Sequence, residues 1–196
     1  MYPVYILRHG ETTWNLDRRV QGRLDAPLTD RGRAQAAAQG RIVAEILAAH
    51  ADLAVHCSPQ GRARATWEIA AHCAGHDGPV RLDARLAEVD MGAWQGLTHG
   101  EIAPRWPGIY TAHDTVFALS LNTPGGERYA SLAARVSGFL GDLSGPALLV
   151  THGITSSVLR GQLLGLEFDE MAWLDHEQGV VFAIENGVET VLRPGS

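Results

Sequence analysis

Val4-Tyr5-Ile6-Leu7-Arg8-His9-Gly10 is the stretch on which the fold turns. A short run rich in β-formers stops at Arg-His-Gly, as a buried strand feeding a loop does. The same order returns at Ala147-Leu148-Leu149-Val150-Thr151-His152-Gly153, a denser apolar run that again ends in His-Gly. Between them, Thr29 reads as the N-cap of a helix whose apolar face is Ala36, Gly40, Val43, Ile46 and Leu47. Leu53 to Cys57 reads as a second strand, broken by Ser58-Pro59, with a helix from about Arg62 to Cys73 and a short strand at Val80 to Leu82. From Glu127 the helical period returns at Tyr129, Leu132, Val136, Phe139, Leu140 and Leu143, and a further helix follows Gly153 to about Leu164. Val180 to Ile184 and Val188 to Leu192 flank Asn186-Gly187, a two-residue hairpin signal.

Strands alternating with helices predict the α/β class: a three-layer α/β/α sandwich, mostly parallel, with an antiparallel edge. One domain over residues 1–196 is expected. Residues 11–28 form a polar loop too long for a mere connection. Residues 83–125 hold three prolines and the aromatics Trp94, Trp106, Tyr110 and Phe117, and read as an inserted cap or lid.

Composition narrows the function classes. Of 196 residues, 45% are hydrophobic and 19% charged, a globular balance, and the net charge of -6 disfavours a general nucleic-acid or acidic-membrane binder. All 16 basic residues are Arg, which excludes lysine chemistry such as a Schiff base. Cys57 and Cys73 are too few for a disulfide framework. The N-terminus lacks a signal-peptide pattern and no apolar run approaches the ~20 residues that span a bilayer, so a cytoplasmic protein is expected.

Ligand sites in open α/β sheets gather at the carboxyl ends of strands. Arg8, His9, Arg62 and His152 all fall at such ends, so they are expected to converge on one crevice. Arginines and histidines beside glycine loops and helix N-termini suit a phosphoryl group, and glycines such as Gly153 let backbone N–H groups approach an oxyanion.

The joint pattern resembles the histidine phosphatase superfamily, whose branches include phosphoglycerate mutases and small-molecule phosphatases. Leu7-Arg8-His9-Gly10-Glu11-Thr12 with Asn15 is similar to its nucleophile motif, and Pro27-Leu28-Thr29 with Gly32 and Gln35 to its first helix entry. Ser58-Pro59, Arg62-Ala63 and Thr66 resemble its second arginine motif, although Gly61 stands where an apolar residue is usual. Leu86-Ala87-Glu88 with Gly92, Trp94 and Gly96 resembles the segment bearing the acid. Pro124-Gly125-Gly126-Glu127 and Val150-Thr151-His152-Gly153 complete the set, and after residue 165 the likeness is only in outline.

The resemblance implies that His9 attacks phosphorus and forms a phosphohistidine. Arg8 and Arg62 should lower the His9 pKa and, with a protonated His152, hold the equatorial oxygens. Glu88 is the implied acid and base, with Asn15 and Gln21 as neutral donors. No metal and no cofactor are expected, because the arginines supply the charge. Glu11 reads as a structural partner of the arginine cluster, Glu127 as a first-turn helix acid, and Asp90 as solvated.

Several rival features are placed elsewhere. His56-Cys57, His72-Cys73 and His76 offer zinc donors, but their spacing fits no standard finger. Trp94 is expected to pack, and Trp106 and Tyr110 to line a pocket. His50, His99, His113 and His176 read as surface residues, with Asp175-His176-Glu177 a solvated turn. Arg18, Arg19 and Arg23 read as a solvated loop, with one of them a candidate for a substrate's distal anion. A phosphatase acting on a small-molecule phosphomonoester is the favoured function. A phosphoglycerate mutase is the rival within chemistry, disfavoured because residues 83–125 carry only Arg85 and Arg105 against Asp83, Glu88, Asp90, Glu101 and Asp114. A non-catalytic phosphoprotein- or phosphometabolite-binding domain is the second alternative. A homodimer is the default assembly.

Overall fold

A computed structural model describes residues 2–195. Its elements begin with β1 (Val4–Arg8), a single turn α1 (Thr13–Leu16), the long α2 (Asp30–Ala49), β2 (Ala54–Cys57), α3 (Gly61–Ala74) and β3 (Val80–Leu82). Two 3-10 turns (Ala84–Leu86, Gly92–Trp94) and three short helices follow: α4 (His99–Ile102), α5 (Pro107–Tyr110) and α6 (Val116–Ser120). Then come α7 (Tyr129–Gly141), β4 (Ala147–Thr151), α8 (Gly153–Leu164), α9 (Phe168–Met171), β5 (Val181–Glu185) and β6 (Val188–Leu192).

The six strands form one sheet in the order β3-β2-β4-β1-β5-β6. The first four are parallel, and the β5–β6 hairpin adds the antiparallel edge. Strand pleating assigns alternate side chains to opposite faces. Val4 and Ile6 of β1 and Ala147 and Leu149 of β4 pack toward Leu132, Val136 and Phe139 of α7 and Val158 of α8. Leu7, Leu148 and Val150 face Ile42, Val43 and Ile46 of α2 and Ala63 and Trp67 of α3. Each large apolar side chain so buried contributes roughly 1.5–3 kcal/mol. A strand covered on both faces has no solvated side, which is why β4 reads as an unbroken apolar run.

Local chemistry sets the element boundaries. Thr29 caps α2 by accepting from the Gly32 N–H at 3.0 Å. Asn186 and Gly187 both adopt positive φ, 51° and 75°, as the tight hairpin turn between β5 and β6 requires. Residues 83–125 divide between two cores. Leu86, Val89, Phe117 and Leu121 pack with α7 and α8. Trp94, Ile102 and Leu119 form a separate cluster with Val20, and Trp106, Ile109 and Tyr110 pack against it.

The N-terminus of α2 presses directly on the loop after β1. A methyl added at Gly32 would overlap the Glu11 carbonyl, and one at Gly10 would overlap the Gly32 carbonyl. Neither neighbour is a flexible side chain that could swing away. Gly32→Ala should therefore destabilise the fold by about 1–3 kcal/mol and displace the loop that carries His9. Urea unfolding should show a lower midpoint with an unchanged slope, and the His9 ring resonances in NMR should shift with the displaced loop.

Candidate active site

β1 and β4 lie side by side with Arg8 paired to Thr151, so the two His-Gly ends meet. The His9 N–H donates to the Thr151 carbonyl at 3.0 Å, and the His9 and His152 rings stand 5.2 Å apart between centroids. His9 is only 2% exposed. Its Nδ1 lies 2.8 Å from the Gly10 carbonyl, which can only accept, so the proton is on Nδ1. Nε2 is left with its lone pair, facing the Nε–H of Arg62 at 3.3 Å. Burial, then the charges of Arg62 and Arg8, hold the His9 pKa well below the usual imidazole range. The arginine effect expected from sequence is present, with burial the larger cause.

Arg62 has no solvent-exposed side-chain surface. Its Nη1 donates to the Leu24 carbonyl at 2.8 Å and to Asp25 Oδ1 at 2.9 Å, and its Nη2 to the Gly22 carbonyl at 2.9 Å. Asp25 also accepts from the Gly61 and Arg62 backbone N–H groups, capping α3, which starts without a side-chain cap of its own. A side chain at position 61 would crowd that carboxylate, which lies 3.1 Å from where a Cβ would sit. Glycine at position 61 thus admits Asp25 to the helix end.

Arg8 donates from Nη1 to the His176 carbonyl at 2.6 Å, while its buried Nε has no partner. His152 is the N-cap of α8; its Nε2 meets Ser58 Oγ at 2.7 Å and its buried Nδ1 is unpartnered. Burial, followed by the charge of Arg62, keeps His152 well below the usual pKa. The neighbouring cations thus oppose a further positive charge on His152, whose protonation is expected only alongside a phosphoryl group.

Glu88 lies under the start of α8. Its Oε1 accepts from the Val89 N–H (3.0 Å), the Thr155 N–H (3.0 Å) and Thr155 Oγ1 (3.1 Å). Its Oε2 accepts only from the Ile154 N–H, at 3.2 Å. Oε2 is 3.7 Å from the Cβ position of Gly153, and the Arg8 guanidinium carbon is equally close to that point. One oxygen thus accepts three hydrogen bonds and the other a single one, on the side of Glu88 that faces Gly153 and Arg8.

Arg8, His9, Asn15, Gln21, Arg62, Glu88 and Gly153 all line one cavity of about 490 Å³, with His152 packed against His9 behind them. Asn15 Oδ1 accepts from the Thr12 N–H and Oγ1, both at 3.1 Å, in a capping box of α1, so only its amide nitrogen remains for a ligand. Gln21 is buried with an unpartnered Oε1.

Other expectations need correction. Glu11 bonds Thr29 Oγ1 at 2.8 Å and pairs with Arg31, since it points toward the start of α2 rather than toward Arg8 and Arg62. Glu127 lies before the N-cap of α7, held by Arg135 at 2.8 Å. Asp90 is half-buried, with Oδ1 accepting from the Gly92 N–H at 2.8 Å. Trp106 and Tyr110 turn into the small cluster around Trp94 instead of lining the cavity. His99 and His176 line the cavity and are not surface residues. His176 is pushed down to a pKa of about 4, first by burial and then by Arg8. His76 packs on Trp67 and His56 on Phe139. Among the described residues, no three His, Cys, Asp or Glu side chains form a metal-binding group.

Asp25, Ser58, Thr155 and the His176 carbonyl were not legible beforehand. Only the uncapped Gln60-Gly61 start of α3 signalled that a distant acid was required.

The model of the histidine phosphatase superfamily (branch 1) matches residues 4–190. A probable phosphoglycerate mutase GpmB of Salmonella paratyphi C is 35% identical over 176 residues, covering 85% of this chain and 76% of that protein. Among solved structures, Bacillus stearothermophilus YhfR superposes with a TM-score of 0.80 at 31% identity, covering 99% of this chain and 96% of its own. A mycobacterial glucosyl-3-phosphoglycerate phosphatase, solved with VO3, gives 0.77 at 28% identity, covering 98% and 97%.

The buried, cation-flanked imidazole generates a titration test. In histidine-labelled protein followed by NMR, His9 should stay neutral through pH 6.5 and protonate only well below it. Arg62→Gln removes a positive neighbour, so the His9 pKa should rise. An unchanged or lower value would contradict the electrostatic account.

Proposed function

We propose that this protein, which belongs to the histidine phosphatase superfamily (branch 1), hydrolyses a small-molecule phosphomonoester through a phosphohistidine at His9. The observation that carries this reading is the unprotonated Nε2 of His9, fixed by the Nδ1–Gly10 bond and accepting from the Arg62 Nε–H at 3.3 Å. In the first step Nε2 attacks phosphorus in line and the P–O bond to the alcohol breaks. The leaving oxygen keeps the electron pair and takes the proton from Glu88 Oε2. In the second step Glu88, now a carboxylate, takes a proton from water. The water oxygen attacks phosphorus and the P–N bond returns its electrons to His9.

Arg8 and Arg62 face the charge that builds on the equatorial oxygens, and the unpartnered Arg8 Nε is a donor in place for one of them. His152 Nδ1 is a second buried donor site, able to gain a proton once a phosphoryl dianion offsets the arginine charges. This arrangement supplies by side chains the positive charge that Mg²⁺ supplies elsewhere. Turnover should accordingly persist in EDTA; a loss restored by Zn²⁺ or Mg²⁺ would overturn the metal-free mechanism.

Mutase-type transfer to a substrate hydroxyl is the second reading, favoured by the name of the Salmonella relative. It needs cations for the second phosphate of a bisphosphate intermediate. Beyond Arg8 and Arg62 the cavity offers Arg18 and Arg19, and Arg19 is committed to Glu101 and the Gly96 carbonyl. Hydrolysis asks only for water. With 3-phosphoglycerate and a trace of its bisphosphate, release of inorganic phosphate should exceed formation of the isomer, and faster isomerisation would install the mutase reading.

The role of Glu88 is separable from that of the nearby acids. Glu88→Gln should slow single-turnover phosphorylation of His9 by an alkyl phosphate at least ~10²-fold more than by p-nitrophenyl phosphate, whose leaving group departs unaided. Equal losses for both would make Glu88 structural, and label trapped on Ser58 instead of His9 would remove the nucleophile assignment.

A further inference from the structure

Resting on the phosphoryl-transfer reading of the same cavity, we infer that the alcohol half of the natural substrate is an apolar, ring-sized body rather than a short polyol or hydroxy acid. The volume of about 490 Å³ greatly exceeds what a phosphoryl group fills, so most of the cavity belongs to the alcohol. Its wall beyond the His9 cluster is built by Trp14, Val20, Met91, Val116, Leu119 and Ile154. These come from five separate places, α1, the loop after it, the turn before Gly92–Trp94, α6 and α8, so the apolar wall is not the face of one amphipathic helix. Val116 is 64% exposed, an apolar side chain left in water at the edge of a ligand cavity.

Several polar groups of the wall are engaged within the protein, and His99, Ser120 and His176 punctuate the apolar surface at separate points. Asn15 Oδ1 closes the α1 capping box, and Arg19 is held by Glu101 and the Gly96 carbonyl. Gln21 also lines the cavity, with its Oε1 unpartnered, and Arg18 is exposed to solvent. A substrate hydroxyl or carboxylate brought against Val20, Met91 and Leu119 would lose water and gain no partner, which is costly for any polar group. A ring placed there loses nothing of that kind and covers apolar surface that is otherwise wet. A polar substituent is compatible with this wall at the mouth beside Arg18 and beside His99, whose buried Nδ1 is unpartnered.

Binding of two phosphonates with the same non-hydrolysable P–CH₂ linkage tests the inference on the full chain without requiring turnover. By calorimetry, 2-naphthylmethylphosphonate should bind at least about tenfold more tightly than 2,3-dihydroxypropylphosphonate, a discrimination within reach of an apolar pocket. Inorganic phosphate should compete with both. Leu119→Asn should shrink the ratio severalfold. Val116→Asp, at an exposed helix position that the fold tolerates, should do the same and guards against misfolding of the first variant. Equal affinities, tighter binding of the dihydroxypropyl compound, no binding of either, or naphthyl binding that phosphate does not displace would each overturn it. Failure to hydrolyse p-nitrophenyl phosphate with the naphthyl preference intact would overturn the hydrolytic reading instead and leave the ligand class standing.

Discussion

Burying the Arg62 guanidinium is the constraint on which the rest of the site depends. A charge without solvent contact must be paired, and breaking such a pair leaves an uncompensated ion at a cost of about 3–5 kcal/mol. The partners here come from a stretch with no regular secondary structure: the carbonyls of Gly22 and Leu24 and the carboxylate of Asp25. The long polar loop before α2 is therefore ordered by a cation that belongs to another element. Gly22 itself adopts φ 54°, and a side chain there would run into Met91 and Gln95. Arg62 thus holds the loop, the loop caps α3 through Asp25, and the remaining Nε–H addresses the nucleophile.

A second set of bonds places the acid. Thr151 Oγ1 donates to the Leu86 carbonyl at 2.7 Å and Thr155 Oγ1 to the Ala87 carbonyl at 2.9 Å. The segment carrying Glu88 is thereby stitched to the end of β4 and the start of α8, the same junction that carries His152. His9, Glu88 and His152 are all referenced to the central strands, so their spacing is set by sheet register and not by cap position. The cap contributes Met91, Val116 and Leu119, which touch the alcohol side of the cavity. Division of labour between a rigid reacting end and a variable wall suits a family whose members bear both mutase and phosphatase names.

The fold was readable because the central strands β1 and β4 are largely buried, because β1, β2 and β4 are punctuated by His-Gly or Ser-Pro, and because Thr29 and Asn186-Gly187 are local signals that need no tertiary context. Arg8, His9, Arg62 and His152 were readable for the same reason: each sits where a strand gives way to a loop or helix. Glu88 came only with the family resemblance. Asp25 and His176 escaped because their roles arise from contacts 37 and 168 residues away along the chain, and His176 acts through its carbonyl, which no side-chain pattern reveals. Trp106 and Tyr110 misled because an aromatic in a Pro/Gly-rich segment serves a small local core as readily as a ligand wall.

The position of β1 between β4 and β5 carries a consequence for how the protein is made. Val4 is in register with Ala147 on one side and Ile184 on the other. The strand leading to His9 precedes both of its neighbours in the chain, so it is synthesised well before β4 and β5 exist to pair with it. At about 5–20 residues per second, it waits many seconds for β4 and β5. Pairings this distant in sequence make for slow folding and a period of exposed strand edge. The cavity around His9 is thus a late product of biogenesis, and a ribosome-bound chain lacking β4 and β5 would hold His9 and Arg62 without His152 beside them.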